Sequence, residues 1–398
     1  MKTSRKLFLL LLILSLPTLF ISAQDDMDMQ IGFWEECATP ENLPETVTIG
    51  AIFSLSGPVS VYGSVQNQGV VLAIQDINEA AYLGEGVTLE VIFEDAQNDA
   101  EQAINAMTKL IEEDGVVAVL GPTLSTQAFS ADAIAQENGI PVMGVSNTAS
   151  GITDMGDFVF RNSLPESAVT PGTIAQASEI LGIESVGVLY GNDDDFTVSG
   201  YEVFVDALED NDIDILREET FAVGDVDFST QLTNLLSDEP DALVISTLAA
   251  EAVQIITQAR DLGFDGPIIG GNGLNSPSII EQAGDDAEGV IAGAAWNIAS
   301  PNPLSVAFAA AYQEAYDFAP DQFATQAYTG AWLMATAIRC ADSTDGQAVR
   351  DALAGIEGFD SPLGSFSFAE DRNPVHDPVV QIIADGAFTV LGADMTDE

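Results

Sequence analysis

The sequence has 398 residues, with 63 acidic against 10 basic side chains and a formal net charge of −53. A surface with that charge repels nucleic acid and anionic lipid headgroups, which argues against both as partners. Hydrophobic residues make up 47% of the chain, enough for sizeable cores, so global disorder is not expected. The length predicts two or three domains. We interpret the acidity as an adaptation for solubility; cation binding is the alternative, but the acids are spread along the chain.

The N-terminus has the order of a secretory signal peptide. A basic start, MKTSRK, precedes an apolar stretch, LFLLLLILSLPTLFI, and then the small and polar residues SAQDD. Residues 1–23 are therefore predicted to be a signal peptide, with cleavage after Ala23. The apolar stretch is short for a membrane span, so a soluble chain exported to the periplasm or outside the cell is expected. An uncleaved N-terminal anchor is the alternative, and residues 24–45 are predicted to form a flexible leader.

From residue 46, short apolar strands alternate with segments of helical periodicity. The first series of strands is VTIGAIFSL, VTLEVIFED, VVAVLG and IPVMGVS. The second series begins near residue 168 with a helix, and its strands are SVGVLYGND, IDILREETF, ALVISTL and PIIGGNG. Such alternation predicts parallel sheets covered by helices on both faces. The core of the chain is therefore expected to contain two similar α/β units.

A helix-rich stretch, 303–354, and a strand-rich tail follow the second series. No linker rich in proline, glycine or serine separates the units. The chain is therefore expected to cross between the units several times, in contrast to independent domains joined end to end.

Two clusters of small hydroxyl residues directly follow strands of the first unit. Ser125 and Thr126 come after VVAVLG, and Ser146 and Thr148 come after IPVMGV. Ligands of open α/β sheets bind beyond the carboxyl ends of the strands, so both clusters are predicted to lie at that edge. Hydroxyls and the free N–H groups of a helix start can hold a carboxylate without arginine or lysine. Simple helix capping is the alternative for each residue.

The residues that most enzymes need are missing from the sequence. The single histidine, His376, stands in NPVHDP, where we expect a turn and a structural role. The chain has no G-x-S-x-G elbow, no Walker phosphate loop, no dinucleotide fingerprint and no zinc-type cluster of histidine or cysteine. We therefore expect no catalysis, no cofactor and no metal. A carboxylate pair among the 63 acids is the remaining route to a hydrolase.

Two cysteines, Cys37 and Cys340, are the only ones in the chain. Export permits a disulfide between them, and the bond would tie the leader to a late helix. The spacing leaves open whether the two sulfurs meet.

Ten segments carry a resemblance to a known family: VTIGAIFSLSGPVSVYG, GVVLAIQDIN, LGPTLSTQAF, IPVMGVSNTA, VFRN, VLYGNDDDF, FSTQLTNL, ALVISTLAAEAVQIITQARDLGF, GGNGLNSP and PDQFATQAY. Over residues 46–392 the chain resembles the type I periplasmic substrate-binding proteins of ABC importers that bind leucine, isoleucine and valine. The resemblance implies two Rossmann-like α/β lobes with parallel sheets, joined by three hinge crossings and closing over a ligand. Lobe 1 would hold 46–165 plus 295–358, and lobe 2 would hold 166–294 plus 359–394.

The same resemblance implies the ligand class, the partners and the binding residues. The ligand would be an amino acid, the partners an ABC permease with its ATPase, and the protein a monomer. Eight residues would form the site: Tyr62, Ser125, Ser146, Thr148, Phe196, Leu248, Asn272 and Phe323. Ser125 matches a serine that binds the α-carboxylate, while Ser146 and Thr148 match a pair that contacts the carboxylate and the α-ammonium. Judged by residue type alone, Tyr62, Phe196 and Phe323 could equally pack in a core.

Three positions depart from the family pattern. Phe196 stands where a tyrosine is usual and Leu248 where an aromatic residue is frequent, which argues for a more apolar pocket.

The third departure concerns the charge of the site. The branched-chain binders have an acidic residue after a strand of lobe 2, whereas GGNGLNSP has Asn272 at that place. An amide can accept a hydrogen bond from an ammonium group but offers no countercharge. Three interpretations stay open: the ligand is a different amino acid, the ligand lacks an ammonium group, or Asp193, Asp194 or Asp195 supplies the charge. A sensory module for amides, urea or aromatic carboxylates on the same fold therefore stays open.

Overall fold

The structure is a computed structural model and describes residues 30–393. The predicted signal peptide, 1–23, lies outside the described residues. Between residues 30 and 393, no helix is both long enough and apolar enough to cross a membrane.

The first half of the chain forms a parallel sheet of five strands. Its strands are β1 (Thr46–Phe53), β2 (Thr88–Asp95), β3 (Val119–Leu120), β4 (Val142–Gly144) and β5 (Val159–Arg161). Helices α1 (Ser60–Glu79), α2 (Ala100–Glu112) and α3 (Ser125–Asn138) alternate with them. The strand order is β2-β1-β3-β4-β5. Apolar cores lie on both faces: Ile49 of β1 is buried in one and Ile52 in the other. This is the arrangement expected of a parallel sheet.

The second series of elements begins after β5. Its helices are α4 (Glu166–Leu181), α5 (Asp195–Asp210), α6 (Ser229–Leu236), α7 (Ala249–Asp261) and α8 (Ser278–Ala283). Its strands are β6 (Ser185–Gly191), β7 (Asp214–Phe221), β8 (Ala242–Ser246), β9 (Ile268–Gly270) and β10 (Val290–Ala294).

The last hundred residues contribute to both halves. The helices are α9 (Pro303–Tyr316), α10 (Gln322–Ala341) and α11 (Gly346–Ala354). The strands are β11 (Phe359–Ser361), β12 (Gly364–Phe368), β13 (Pro374–Val375), β14 (Val379–Ala384) and β15 (Ala387–Val390). The second sheet has the order β15-β14-β10-β9-β8-β6-β7, with β14 antiparallel to β10 and to β15. The chain thus passes between the two halves after β5, after β10 and before β14, which confirms the predicted two-lobed α/β fold.

Helix α10 runs along α1 in lobe 1, and this contact fixes part of the cleft between the lobes. A Cβ atom at Gly69 of α1 would collide with the backbone oxygen of Ala324, so the two helices approach closely only because residue 69 is glycine. The close approach places Tyr62 of α1 beside Phe323 of α10, with ring centroids 4.7 Å apart.

The predicted division of the tail between the lobes is wrong in part. The sequence assigns 359–394 to lobe 2, but Phe359 and Phe366 are buried in the core of lobe 1. Arg161 at the end of β5 also donates a hydrogen bond to Asn373 at 2.6 Å. Only β14 and β15 join the second sheet. The alternation of the tail predicts strands but carries no information on which sheet they join.

The described part of the leader, 30–45, packs against lobe 1. Phe33 and Trp34 pack against the core of lobe 1, and the backbone N–H of Phe33 donates to the Tyr82 hydroxyl at 2.7 Å. Cys37 and Cys340 are bonded, with Cα atoms 5.0 Å apart. The disulfide ties the leader to α10, and aromatic packing holds it along the lobe.

The seven basic residues between 30 and 393 all have structural partners. Lys109, Arg217 and Arg350 pair with carboxylates. The other four donate to backbone carbonyl groups: Arg161, Arg260, Arg339 and Arg372. The few cations of the chain are therefore occupied in holding loops and the leader in place.

Asp132 of α3 is fully buried, and neither of its carboxylate oxygens has a hydrogen-bond partner among the described residues. Burial raises the pKa of this carboxyl well above its ordinary value. Below the unfolded pKa the carboxyl is neutral in both states, so its titration does not affect the free energy of unfolding. As the pH rises from there to the folded pKa, the free energy of unfolding falls, because only the unfolded chain loses the proton.

Asp132→Asn is therefore expected to raise the free energy of unfolding at pH 8 by about 1–3 kcal/mol. The amide is neutral in both states, whereas the carboxylate of the unfolded chain must bind a proton to be buried as a neutral acid. The gain should shrink towards about pH 4, where the wild-type carboxyl is neutral in both states. Urea denaturation across this pH range measures both effects. The matched control is Asp206→Asn, at an exposed site on α5. An equal gain for both variants, or one independent of pH, would contradict the prediction.

Candidate ligand-binding site between the lobes

A small cavity lies between the lobes, beyond the carboxyl ends of strands from both sheets, with room of about 20 Å³ for the centre of a water-sized molecule. Seven of the eight residues predicted from the sequence line it, and the eighth, Thr148, is buried behind the wall. The complete lining is Tyr62, Thr123, Leu124, Ser125, Ser146, Phe196, Leu248, Asn272, Gly273 and Phe323. The cavity lies where the hydroxyl clusters predict a ligand, and no cationic side chain lines it.

The lobe 1 side of the cavity is built from hydroxyl groups and a helix start. Ser125 is the first residue of α3, and its hydroxyl accepts a hydrogen bond from the Ala149 N–H at 3.3 Å. The Ser146 hydroxyl donates to the Thr123 carbonyl at 2.5 Å and accepts from Gln66 at 2.7 Å. These bonds fix both hydroxyls at the cavity wall. The N-terminus of α3 adds the partial positive charge that favours an anion.

The rest of the wall is apolar and comes from both lobes. Tyr62 and Phe323 belong to lobe 1, whereas Phe196 and Leu248 belong to lobe 2, and all four are buried. They form one continuous hydrophobic cluster that spans the cleft. Tyr62, Phe196 and Phe323 therefore both line the cleft and pack in a hydrophobic core.

Tyr62 makes the most direct polar connection across the cleft. Its hydroxyl donates to the Gly273 carbonyl at 2.8 Å and accepts from the Ala249 N–H, at the start of α7, at 2.7 Å. Burial raises the pKa of this phenol, so it stays a neutral donor. Both partners are backbone groups of lobe 2. The tyrosine therefore bridges the lobes and satisfies one free N–H of a helix start.

A second connection across the cleft involves the aspartates considered for an ammonium group. The Thr126 hydroxyl donates to Asp194 at 2.8 Å and accepts from the Asp195 N–H at 3.0 Å. Asp194 also caps α5, whereas Asp193 accepts from the Val223 N–H. None of the three aspartates lines the cavity. Asp194 joins the lobes through its side chain and Asp195 through its backbone N–H, whereas Asp193 bonds within lobe 2.

Asn272 has two neighbours that explain its place in the wall. Its side-chain oxygen accepts a hydrogen bond from Gln322 of lobe 1. Its backbone N–H donates to Glu166 at 2.9 Å, and the Thr148 hydroxyl donates to the same carboxylate oxygen at 3.2 Å. Glu166 is thus one hydrogen bond behind the cavity and only 2% exposed.

The sequence does not identify Glu166 as a site residue. Burial raises the pKa of its carboxyl, and the hydrogen bonds from Asn272, Thr170 and Thr148 act against that rise. The only signal in the sequence is its position at the start of the helix that follows VFRN. That signal is ambiguous, because acidic residues are common in the first turn of helices.

His376 lies outside the cavity lining. It is partly buried near Phe366, with ring centroids 6.0 Å apart, and burial lowers its pKa to about 4. The packing agrees with a structural role.

Comparison with known proteins identifies the class. Residues 46–387 match the family model described as Periplasmic binding protein, and the chain belongs to that family. The Leucine-, isoleucine-, valine-, threonine-, and alanine-binding protein of Pseudomonas aeruginosa is 26% identical over 327 residues, which are 82% of this chain and 86% of that protein.

Solved structures extend the comparison. The branched-chain amino acid transporter substrate binding protein LivJ of Streptococcus pneumoniae, in complex with isoleucine, has a TM-score of 0.81 at 29% identity. The match covers 87% of this chain and 98% of LivJ. A solute binding protein of an ABC transporter from R. palustris, in complex with benzoate, has a TM-score of 0.80 at 22% identity and covers 87% and 95% of the two chains. The second likeness concerns the fold alone.

Tyr62→Phe is expected to weaken lobe closure, because it leaves the Ala249 N–H and the Gly273 carbonyl without their partner. Unpartnered buried groups cost about 1–3 kcal/mol, so the open–closed equilibrium should shift by about tenfold or more. Small-angle X-ray scattering of the ligand-free protein should report a larger radius of gyration than for the wild type.

The matched control is Tyr312→Phe, which removes a hydroxyl that bonds to Gln68 within lobe 1. If Tyr62→Phe is as compact as this control, the Tyr62 hydroxyl does not hold the lobes together.

Proposed function

We propose that this protein is an extracytoplasmic solute-binding protein that captures an amino acid of the branched-chain type between its lobes and delivers it to an ABC importer. The observation that best supports this proposal is the composition of the cavity wall. The cavity has hydroxyl groups and a helix start on one side, an apolar wall on the other and a buried carboxylate behind Asn272. These parts match the carboxylate, the side chain and the ammonium of an amino acid.

The ligand carboxylate would bind at Ser125 and the first turn of α3, while Ser146, whose hydrogen is donated to the Thr123 carbonyl, would offer its oxygen to the ammonium. Hydroxyl and backbone N–H donors replace the arginine that many carboxylate sites use. The arrangement suits this chain, since each arginine between residues 30 and 393 has a structural partner. Thr148 would act from behind the wall, through its hydrogen bond to Glu166.

Glu166 would supply the negative charge that Asn272 lacks. Its carboxylate is already oriented towards Asn272 and Thr148 by their hydrogen bonds. An ammonium group near the Asn272 side chain would favour the ionised form of Glu166, against the desolvation that raises its pKa. Glu166 would act on the ammonium from behind the cavity wall, whereas the family's usual acid would contact it directly.

The ligand side chain would contact Phe196, Leu248 and Phe323. The burial of these side chains favours an apolar ligand group of modest size. Closure around the ligand would complete the surface that the importer recognises, since a ligand shifts the equilibrium towards the form that it binds best.

A carboxylate without an ammonium group is the second candidate ligand, and a sensory role would go with it. The neutral Asn272 at the cavity wall favours this alternative. The two candidates differ in their dependence on Glu166, which an experiment can measure.

The double variant Ser125→Ala/Thr148→Ala is expected to lower leucine affinity by about a hundredfold, because two hydroxyls that position the ligand carboxylate and Glu166 are lost. Isothermal titration calorimetry against a panel of amino acids measures the loss. Ser130→Ala on α3 is the control, since its hydroxyl bonds to the Thr126 carbonyl and does not line the cavity. Unchanged affinity in the double variant would refute the site.

Glu166→Gln is expected to weaken leucine binding about tenfold while leaving isocaproate, the same carbon skeleton without the ammonium, unaffected. Titration of both ligands into both proteins gives the four affinities. Equal losses for the two ligands would mean that Glu166 acts on the fold and not on the ammonium. Tight isocaproate binding without leucine binding in the wild type would favour the second candidate ligand.

A further inference from the structure

A second and larger cavity lies between the lobes beside the first. It encloses about 1510 Å³, including space open to solvent. Lobe 1 contributes the start of α1 and the segment that leads into α10, while lobe 2 contributes the loop after β9, α8 and β15. The hydrogen-bonded pair of Asn272 and Gln322 stands at the boundary, since Asn272 lines the first cavity and Gln322 the second. The two cavities therefore share one polar contact between the lobes.

The walls of the second cavity are largely apolar and aromatic. Trp296, Phe318 and Phe388 line it together with Ile280 and Ile298. Phe318 is 44% exposed and Ile298 is 45% exposed. Large apolar side chains exposed at a concave surface mark a binding site more often than an isolated exposed residue does.

The charged groups of this cavity are all acidic. Asp321 and Glu281 line it, and no lysine or arginine does. Asp321 is only 7% exposed, and its carboxylate caps the start of α10, where it accepts from the Ala324 N–H at 2.9 Å. Burial raises its pKa to about 7. A buried carboxylate without a cationic partner is costly, and a bound cation would compensate it.

We propose that the second cavity binds an organic ammonium ion with an aromatic or similarly bulky apolar body. Asp321 supplies the countercharge, and Trp296, Phe318 and Phe388 contact the apolar body. Aromatic rings also attract cations through their faces, which favours an ammonium over a neutral molecule of the same shape. The acidic surface raises the local concentration of such cations.

The site is linked to lobe closure, because its walls come from both lobes. A molecule that contacts both lobes shifts the open–closed equilibrium towards the arrangement that it fits. By reciprocity, occupation of the first cavity changes the affinity of the second. The inference does not depend on the identity of the first ligand.

The test uses phenethylammonium chloride as the probe and phenethyl alcohol as its neutral match, titrated calorimetrically into the purified protein. About 0.15 M NaCl limits non-specific attraction to the acidic surface. We expect saturable binding of one phenethylammonium per chain and at least about tenfold weaker binding of the alcohol. Absence of saturable binding, or equal affinities for the two probes, would overturn the proposal.

Two variants locate the site. Asp321→Asn keeps an acceptor for the Ala324 N–H, since asparagine also caps helices. It should lower the affinity for phenethylammonium about tenfold, because the countercharge is lost. Its control is Asp261→Asn, which removes the same charge at an exposed position at the end of α7. Ser64→Trp, at an exposed position on α1 that lines the cavity, should block the probe by filling the space.

The outcome for the first cavity separates the two proposals. Ser125→Ala should leave phenethylammonium affinity unchanged, whatever it does to leucine. The proposal fails if Asp261→Asn lowers the affinity for phenethylammonium as much as Asp321→Asn does, or if Ser64→Trp binds it with unchanged affinity. Either result would mean that the probe binds elsewhere.

Discussion

The hydroxyl of Tyr62 is the contact on which the arrangement of the two lobes depends most directly. It joins a helix of lobe 1 to two backbone groups of lobe 2. The backbone partners matter, because they are fixed by the α7 start and by the loop after β9 and cannot turn away as side chains can. Gly69 permits the close approach of α1 and α10 that aims this tyrosine. One missing Cβ on α1 thus helps to set the geometry of a cleft that both sheets form.

Buried acids have different roles in this chain, depending on their neighbours. Glu166 has three donors and stands behind the first cavity, whereas Asp132 has none among the described residues and lies in the core of lobe 1. Asp194 connects the lobes through Thr126. Burial raises the pKa of each, but donors counteract the rise only where they exist. Local hydrogen bonding therefore separates the buried carboxylates that have donors from Asp132, whose burial costs stability.

Much of the architecture could be predicted from the sequence, since strand–helix alternation dictates parallel sheets and the sheets dictate where Ser125 and Ser146 must lie. Glu166 could not be predicted, because its significance depends on Asn272, which is 106 positions away. The first and second parts of the tail have the same strand periodicity. Periodicity therefore does not indicate that Phe366 packs in lobe 1 while β14 joins the sheet of lobe 2. In the leader, Cys37 indicates a possible tie to a late helix, whereas Phe33 and Trp34 are a weak signal of packing in an otherwise polar segment.

The use of the arginines has a consequence for the resistance of the protein to proteases. Proteases of the trypsin type cleave after lysine or arginine, and they need an extended, accessible segment. Arg161 and Arg339 are buried, and the remaining basic residues between 30 and 393 are held by carbonyls or carboxylates within folded elements and tight loops. A chain that places its few cations in this way offers such proteases few cleavage sites. Resistance to digestion follows from the same scarcity of positive charge that shapes the ligand cavity.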